Sequence, residues 1–286
     1  MKQAIAKADV LLEALPYLRS FAGKTFVIKY GGSIQDMPGG EESVVQDIIF
    51  LSSVGIWPVV IHGGGREISD AQKKTGVQPR FVQGLRVTDP RTMGVIDRVL
   101  GRINSRIVST LGKHGGRGAG FSGRRGGGVV RAAKMRLKGA HAREDLGRVG
   151  AVSGFRVGPL MRAHARGGIP VLSSIAVGGS GIWNVNADDV AGALAGRLRA
   201  AKLILMTDVP GIQDGQGNLL TSVKSAQARH LIRAGVITRG MIPKVRSCLS
   251  ALDRGVGKAH IIDGRLRHSL LLEIFTTRGV GTELLR

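Results

Sequence analysis

Short apolar runs recur along the chain, and turn residues follow each of them. The first run, residues 25–30, and the second, residues 58–62, both lead directly into consecutive glycines. Segments with helical spacing of apolar positions follow them, at 42–54 and at about 67–75. Strands that alternate with helices in this way predict a parallel sheet with helices packed on its faces.

The same alternation returns in the second half of the chain. The predicted strands there are 168–173, 202–207 and 259–262, and the predicted helices are 189–198, 226–234 and 243–252. A stretch rich in glycine and arginine, at 119–157, has weak periodicity and predicts short strands or hairpins. Together the elements predict an α/β fold, a three-layer αβα sandwich around a mainly parallel open sheet.

An additional amphipathic helix is predicted before the first strand, over residues 2–21. Pro16 is expected to kink this helix, and Gly23 is expected to end it. A single helix in this position cannot bury its apolar stripe by itself. We therefore expect it to pack on the domain or to contact another subunit.

The composition fits one large α/β domain or two closely packed lobes. The chain has 286 residues, of which 43% are hydrophobic, and Cys248 is its single cysteine, which excludes an intrachain disulfide. Lys7, Asp9 and Glu13 interrupt the pattern of a secretory signal, and no apolar run is long enough to span a bilayer. We expect a cytoplasmic protein with no membrane segment.

The positive charge is large and unevenly distributed. The formal net charge is +22, and residues 102–166 carry fifteen Lys or Arg against only Glu144 and Asp145. This stretch could form a surface for polyanions, or it could combine solvated arginines with a site for anionic substrates. Phe121 and Phe155 are its only aromatic residues, so base stacking has little support and a nucleic-acid partner is not expected.

The two glycine loops are the first candidates for chemistry. Lys29 ends one predicted strand just before Gly31-Gly32, and His62 ends the next just before Gly63-Gly64-Gly65. Ligands of parallel sheets bind outside the carboxyl ends of the strands, where glycine lets backbone N–H groups approach phosphate oxygens. The chain contains neither a complete Walker A motif nor the signatures of protein kinases.

Three further clusters accompany these loops. An Asx-rich segment at 184–189 precedes a predicted helix and suits an N-cap. A second segment, 207–211, follows a strand and is rich in turn residues. In the third, Lys244 falls in the first turn of a helix, where a cation opposes the helix dipole. Such a local conflict indicates a functional use of this lysine.

Taken in order, these blocks resemble the N-acetylglutamate kinases of the amino-acid kinase family. The matching blocks are 28–32, 62–65, 84–88, 184–188, 205–211 and 240–244. The resemblance implies the amino-acid kinase fold and the ATP-dependent phosphorylation of the side-chain carboxylate of N-acetyl-L-glutamate in arginine biosynthesis. It divides the chain into an oligomerisation helix (1–22), a lobe for substrate binding and dimerisation (23–178), and a lobe for ATP and arginine (179–286).

The resemblance also implies a role for each site residue. Lys29 and Lys244 would stabilise the transferring phosphoryl group, and Asp188 would orient both lysines. The residues implied to contact the substrate and the phosphates are Gly32, Gly64, Gly65, Arg86 and Asn184. Those implied to line the nucleotide pocket are Asp208, Val209, Gly211, Gln213, Val236, Ile237 and Thr238, with Mg²⁺ held by the ATP phosphates rather than by the protein.

Regulation and assembly are implied in the same way. The leading helix resembles that of the hexameric, arginine-inhibited members, in which three dimers assemble. The implied arginine site consists of Tyr17, Lys202, His260, Glu273 and Gly279. A PII signalling protein is a further possible partner of such an enzyme.

The chain departs from the family pattern at a few positions, and alternatives remain. Arg124 and Arg125 stand in a block that usually reads Ser-Gly-Lys-Asp-Gly, and Gln83 replaces the usual Asp before Gly84. These changes leave open another acceptor of the same family, such as aspartate, carbamate, UMP or a carrier-bound aminoadipate. A basic nucleic-acid-binding protein on the same scaffold is the alternative from a different class.

Overall fold

The computed structural model describes residues 2–32, 39–123, 125–137, 143–179, 181–238 and 240–286, with the side chains of 2–4 and 6–11 left aside. Within them, the helices are α1 (Lys2–Phe21), α2 (Gly40–Ser53), α3 (Gly65–Lys74), α4 (Pro90–Lys113), α5 (Gly158–Ala165), α6 (Ala187–Leu198), α7 (Ser225–Arg233), α8 (Met241–Asp253) and α9 (Ser269–Phe275). The strands are β1 (Thr25–Tyr30), β2 (Trp57–His62), β3 (Phe81–Val82), β4 (Leu85–Arg86), β5 (Gly118–Phe121), β6 (Val130–Lys134), β7 (Gly150–Phe155), β8 (Ile169–Ser173), β9 (Ile175–Gly178), β10 (Gly181–Asn184), β11 (Lys202–Thr207), β12 (Ser222–Lys224), β13 (Lys258–Asp263) and β14 (Thr282–Leu285).

Eight of these strands form the central sheet, in the order β12-β14-β13-β11-β1-β2-β8-β5. Neighbouring strands run parallel except at the β13–β14 pair, which is antiparallel. In this sheet β2, β8 and β5, which all precede residue 178, lie on one side of the β1–β11 pair, and β13, β14 and β12 lie on the other. The predicted lobe boundary between residues 178 and 179 falls at the tip of the β9–β10 hairpin, and this division stays a prediction.

Alternation along the strands assigns the helices to two layers. Val27, Val59 and Leu203 point into one apolar cluster with residues of α5, α6 and α8. Their neighbours Ile28 and Val60 point into a second cluster with residues of α2, α4 and α9. Successive side chains of a strand face opposite sides of a sheet, so helices cover both faces. The predicted three-layer αβα sandwich is confirmed.

The weakly periodic stretch forms the short strands that were predicted for it. β6 and β7 pair antiparallel, and together with the β9–β10 hairpin they make a second, four-stranded sheet. Arg124, at one of the departures from the family pattern, lies outside the described residues. The four-stranded sheet ends at Asn184, directly before α6, and so it lies next to the Asx-rich segment.

Helix α1 continues through Pro16 and packs on the domain with its C-terminal half. Tyr17 and Phe21 lie against the second apolar cluster, and the Phe21 ring meets Phe26 edge-on with centroids 5.2 Å apart. Ile5 and Leu12 are more than half exposed, so the packing on this chain leaves apolar side chains of the helix uncovered.

None of the described helices combines the length and the apolar character that a membrane span requires.

Gln83, one of the departures from the family pattern, lies in the turn that joins β3 to β4. Both turn residues have positive φ, 49° at Gln83 and 78° at Gly84, which is the pattern of a type I′ hairpin. Asn and Asp tolerate this conformation better than other residues with a Cβ. The residue that the family usually has here, Asp, therefore suits the turn, and Gln83 introduces local backbone strain.

We expect the substitution Gln83→Asn to stabilise the fold by roughly 0.5–1 kcal/mol, because Asn adopts positive φ at lower cost. The free energy of unfolding from a denaturant titration measures this. The same change at the exposed Gln227 in α7 is the matched control, and there a small loss is expected because Asn is the poorer helix former. Equal effects at the two positions would show that the turn is unstrained.

Candidate active site

One carboxylate joins two lysines at the carboxyl end of β1. Lys29 Nζ lies 3.0 Å from Asp188 Oδ1, and Lys244 Nζ lies 2.9 Å from Asp188 Oδ2. Asp188 and Lys29 are both buried, whereas 18% of the Lys244 side chain is exposed. Two cations that share one anion leave the cluster with a net charge of +1. Such a cluster suits a ligand that brings further negative charge.

Burial and charge act in opposite directions on this cluster. Burial on its own would raise the pKa of Asp188, but attraction to Lys29 and Lys244 outweighs it and lowers the pKa to about 2. For Lys29, burial is the largest effect and lowers the pKa, Asp188 raises it, and the nearby charge of Lys244 lowers it further. The carboxylate is therefore ionised throughout the neutral range and holds both ammonium groups in place.

Three elements bring these groups together. The alternation along β1 turns Lys29 toward the layer of α6 and α8, on the same face as Val27. Asn186 caps α6, since its Oδ1 accepts from the backbone N–H groups of Asp188 (2.7 Å) and Asp189 (3.2 Å). Helix α6 begins at Ala187, two residues before the predicted start, because this cap draws Asp188 into the first turn.

A contact between helices α6 and α8 supports the cluster from behind. Ser247 Oγ donates to the backbone carbonyl of Asp188 at 2.5 Å. A Cβ at Gly192 would collide with the same Ser247 hydroxyl, so the two helices approach closely at this point. Ser247 was missed in the sequence, because only the crossing of two helices distant in sequence gives this serine its role.

The glycines of the two loops are needed for different reasons. A Cβ on Gly64 would lie 2.6 Å from Ile103 and 2.9 Å from Leu100, two buried side chains of α4. By contrast, a Cβ on Gly32 or on Gly65 would meet no atom of the described residues within 4 Å. Among the described residues, packing explains Gly64 but not the other two, which have open space beside them. An open space lined by backbone is what a phosphate cradle requires.

A buried histidine holds the second loop in place. Asn104 Nδ2 donates to His62 Nε2 at 3.0 Å and to the carbonyl of Val171 at 2.9 Å, while His62 Nδ1 lies 3.1 Å from the Gly63 carbonyl. Burial lowers the pKa of His62 to about 4. The ring is therefore neutral, donates from Nδ1 and accepts at Nε2. His62 positions the loop and carries no charge to the site.

Arg86 and Asn184 are joined through a threonine. The Arg86 guanidinium donates to Gln72 Oε1, to the Gly65 carbonyl (2.8 Å) and to Ser69 Oγ (2.8 Å). Thr88 Oγ1 donates to the Arg86 carbonyl at 2.7 Å and accepts from Asn184 Nδ2 at 3.2 Å. The two predicted substrate residues thus belong to one hydrogen-bonded network with the second glycine loop.

The predicted nucleotide residues fall into two segments. Asp208, Val209, Gly211 and Gln213 follow β11, whose neighbour in the sheet is β1, so the segment starts at the same edge as Lys29. Gly211 has a φ of 156°, and a Cβ there would collide with Thr282. The second segment, Val236, Ile237 and Thr238, leads into α8, and the Thr238 carbonyl accepts from Met241 N at 3.1 Å. It therefore lies just before Lys244.

The five predicted arginine-site residues line one cavity of about 930 Å³, beside α1 and α9. They are Tyr17, Lys202, His260, Glu273 and Gly279. Lys202 Nζ donates to His260 Nε2 at 2.9 Å, and His260 Nδ1 donates to Glu273 Oε1 at 2.6 Å. A buried cation and a buried carboxylate thus lie at the two ends of a short hydrogen-bonded chain.

Arg125, the described part of the departing arginine pair, lines a different cavity. That cavity, of about 1010 Å³, also includes Arg98 and Arg148 but none of the predicted substrate residues.

In the part of the chain that the structure describes, no three His, Cys, Asp or Glu side chains come together as a metal site. The prediction that Mg²⁺ is held by ATP phosphates stays a prediction.

Comparisons with known proteins point to one family. Residues 24–263 match the amino acid kinase family. The acetylglutamate kinase of Geotalea uraniireducens is 47% identical over 291 aligned positions that cover 100% of both chains, and that of Chromobacterium violaceum is 46% identical, covering 98% of this chain and 97% of the relative.

A related fold has been solved in two ligand complexes. N-acetylglutamate synthase from Neisseria gonorrhoeae, complexed with coenzyme A and N-acetyl-glutamate, superposes with a TM-score of 0.87 at 26% identity over 98% of this chain. The same synthase complexed with coenzyme A and L-arginine superposes with a TM-score of 0.84 at 26% identity over 97% of this chain. This chain spans only 63% and 65% of those synthase chains.

Two neighbouring glycines provide a matched test of the loop. We expect Gly64→Ala to destabilise the fold by roughly 1–3 kcal/mol, because the new Cβ overpacks against Leu100 and Ile103. Gly65→Ala should leave stability unchanged or raise it by up to about 1 kcal/mol, because Gly65 opens α3 and its surroundings are open. Denaturant unfolding of both variants measures the difference. A stable Gly64→Ala variant would contradict the close packing of α4 under the loop.

Proposed function

The chain belongs to the amino acid kinase family and, within it, to the acetylglutamate kinases, and we propose on this basis that it transfers the γ-phosphoryl group of ATP to the side-chain carboxylate of N-acetyl-L-glutamate. The product is N-acetyl-L-glutamyl 5-phosphate, an intermediate of arginine biosynthesis. The observation that carries the proposal is the Lys29–Asp188–Lys244 bridge beside two glycine loops.

The proposed mechanism relies on positioning and charge. A carboxylate oxygen of the acceptor forms a bond to the γ-phosphorus while the bond from phosphorus to the β,γ-bridging oxygen breaks, and ADP leaves. Lys29 and Lys244 stabilise the charge on the transferring group, and Asp188 keeps both lysines oriented. The acceptor is already ionised at neutral pH, so the reaction requires no general base. The backbone N–H groups of Gly32, Gly64 and Gly65 receive the phosphates.

Arg86 and Asn184 are the proposed contacts for the acceptor. A guanidinium has five N–H donors, and within the part of the chain that the structure describes three of them bond Gln72, Gly65 and Ser69. Two donors remain for the α-carboxylate of N-acetylglutamate, and Asn184 is proposed to bind the acetamido group. Because Arg86 also bonds the Gly65 carbonyl, binding of the acceptor and ordering of the phosphate loop are coupled.

The nucleotide is proposed to lie between the segment after β11 and the segment before α8. Mg²⁺ would neutralise part of the charge on the ATP phosphates. Both carboxylate oxygens of Asp188 face lysines, so this side chain is not offered as a metal ligand. The phosphates are therefore the proposed holders of the ion.

Feedback inhibition by arginine is proposed for the 930 Å³ cavity. Glu273 suits the guanidinium of arginine, and Lys202 suits its carboxylate. A related synthase has been solved with L-arginine, which supports a site of this kind on the fold.

The uncovered apolar residues Ile5 and Leu12 of α1 support the proposed hexamer, which light scattering can test. A PII partner stays a prediction.

The acceptor is tested by measuring ATP consumption with N-acetylglutamate, glutamate and aspartate. N-acetylglutamate is expected to give the fastest turnover, because Arg86 and Asn184 together recognise an acylated amino acid. Lys29→Ala and Lys244→Ala are expected to lower turnover by roughly 10³, as is known for the loss of a cation that contacts a transferring phosphoryl group.

Lys224→Ala, at an exposed position before α7, is the control and should leave turnover unchanged. Equal turnover with all three acceptors would refute the assignment of the substrate. Full activity of both lysine variants would refute the mechanism even if the acceptor is correct.

The arginine site predicts a dependence on pH. Burial and the charge of Lys258 lower the pKa of Lys202, and the charges of Glu273 and Glu283 raise it in part. The resulting pKa is about 8. Only protonated Lys202 attracts a carboxylate, so arginine should inhibit well below pH 8 and roughly tenfold less well at pH 9 than at pH 7. Inhibition curves at these pH values measure the change.

Lys202→Arg separates this effect from the titration of arginine itself, because a guanidinium stays charged over the whole range. That variant should keep its inhibition at pH 9. If it loses inhibition as the wild type does, Lys202 is not the titrating group.

A further inference from the structure

A cavity of about 640 Å³ lies on the outer side of α6 and α8, where β7 closes it. Its basic wall consists of Arg197 from α6 and of Arg246 and Arg254 from α8. None of the predicted substrate, nucleotide or arginine residues lines this cavity. Its volume is in the range of small-molecule sites, which is roughly 300–1,000 Å³.

The three arginines have no acidic partner among the described residues. The guanidinium groups of Arg197, Arg246 and Arg254 form no hydrogen bond or ion pair with the part of the chain that the structure describes, whereas those of the exposed Arg229 and Arg265 do. Asp189 is the single acidic residue of the wall, and within the same described part it forms no ion pair either. The wall therefore carries a net charge of +2.

The remaining wall suits a compact polar ligand. Ser153 and Ser250 contribute hydroxyl groups, and Phe155 contributes an apolar side. Gly196 leaves room for the aliphatic stem of Arg254, since a Cβ at Gly196 would lie 2.8 Å from the Cβ of that arginine. Guanidinium groups bind carboxylates and phosphates through paired N–H donors.

We propose that this cavity is a second anion site, which binds a small molecule with two or three negative charges. Carboxylates and phosphates share the chemistry that three arginines and two serine hydroxyls recognise. The site is separate from the phosphoryl-transfer centre, and its occupant bridges β7, α6 and α8.

The same two helices carry the catalytic cluster, so the occupant also affects catalysis. Asp189 follows Asp188 in α6, and Arg246 lies two residues after Lys244 in α8. Ser247 lines the cavity and donates to the Asp188 carbonyl. A ligand that draws α6 and α8 together therefore acts on the Lys244–Asp188 pair, and binding there is coupled to binding of the nucleotide.

Calorimetric titration of the full chain with citrate and, separately, with pyrophosphate tests the site. One probe at least should bind with a dissociation constant below about 10 mM, and the two arms distinguish a polycarboxylate from a phosphate ligand. In the double variant Arg246→Gln/Arg254→Gln the affinity should fall at least about tenfold. Arg162→Gln, an exposed arginine of α5, is the matched control and should bind as the wild type does.

Circular dichroism and thermal unfolding confirm that the variants are folded. Binding that survives in the double variant, or that disappears in Lys29→Gln instead, would place the anion elsewhere and overturn the proposal. The absence of heat from both probes would also overturn it. These titrations need no turnover, so they stand apart from the proposed acceptor.

The coupling is tested through the affinity for ADP. Saturating probe should change the ADP dissociation constant of the wild type by at least about fivefold and leave that of the double variant unchanged. An equal shift in both proteins would indicate competition in the nucleotide pocket, and no shift in the wild type would exclude coupling. Failure of ADP to bind would count against the proposed kinase, not against the anion site.

Discussion

The attraction between one buried carboxylate and two lysines is the interaction on which the site depends. Asp188 lies in the first turn of α6, Lys29 at the end of β1 and Lys244 in the first turn of α8. Without Asp188, two ammonium groups would face each other in a buried space. The carboxylate therefore holds a strand and two helices in register, and the cluster keeps one positive charge in excess.

Much of the fold could be predicted, because its elements are short and strongly patterned. The bounds of β1 and β11 were predicted to the residue, since apolar β-branched runs stop at glycine or at a turn. The starts of α3 and α6 were predicted two residues late. Helix α3 begins at Gly65, within a run of glycines that gives no helical signal in the sequence. Helix α6 begins at Ala187, because Asn186 is its N-cap and the aspartates had indicated a start two residues later.

The supporting residues of the site could not be predicted, because they act across the tertiary structure. Thr88 joins Arg86 to Asn184 over a distance of 96 residues in sequence, and Ser247 supports Asp188 only because α6 and α8 cross. Gly64 and Gly65 are identical in the sequence, yet one is required by packing and the other borders open space. Motifs can name candidate substrate residues, whereas the residues that support them are recognised only in the folded chain.

The order of strands has a consequence for how the chain folds. β1 pairs with β2, its neighbour in sequence, but also with β11, which begins more than 170 residues later. During synthesis, β1 emerges long before this second partner, so its outer edge stays unpaired until the second half of the chain arrives. Contacts of such sequence separation form slowly. The Lys29–Asp188–Lys244 cluster joins β1 to helices α6 and α8 of the second half, and it is therefore assembled only when the sheet closes.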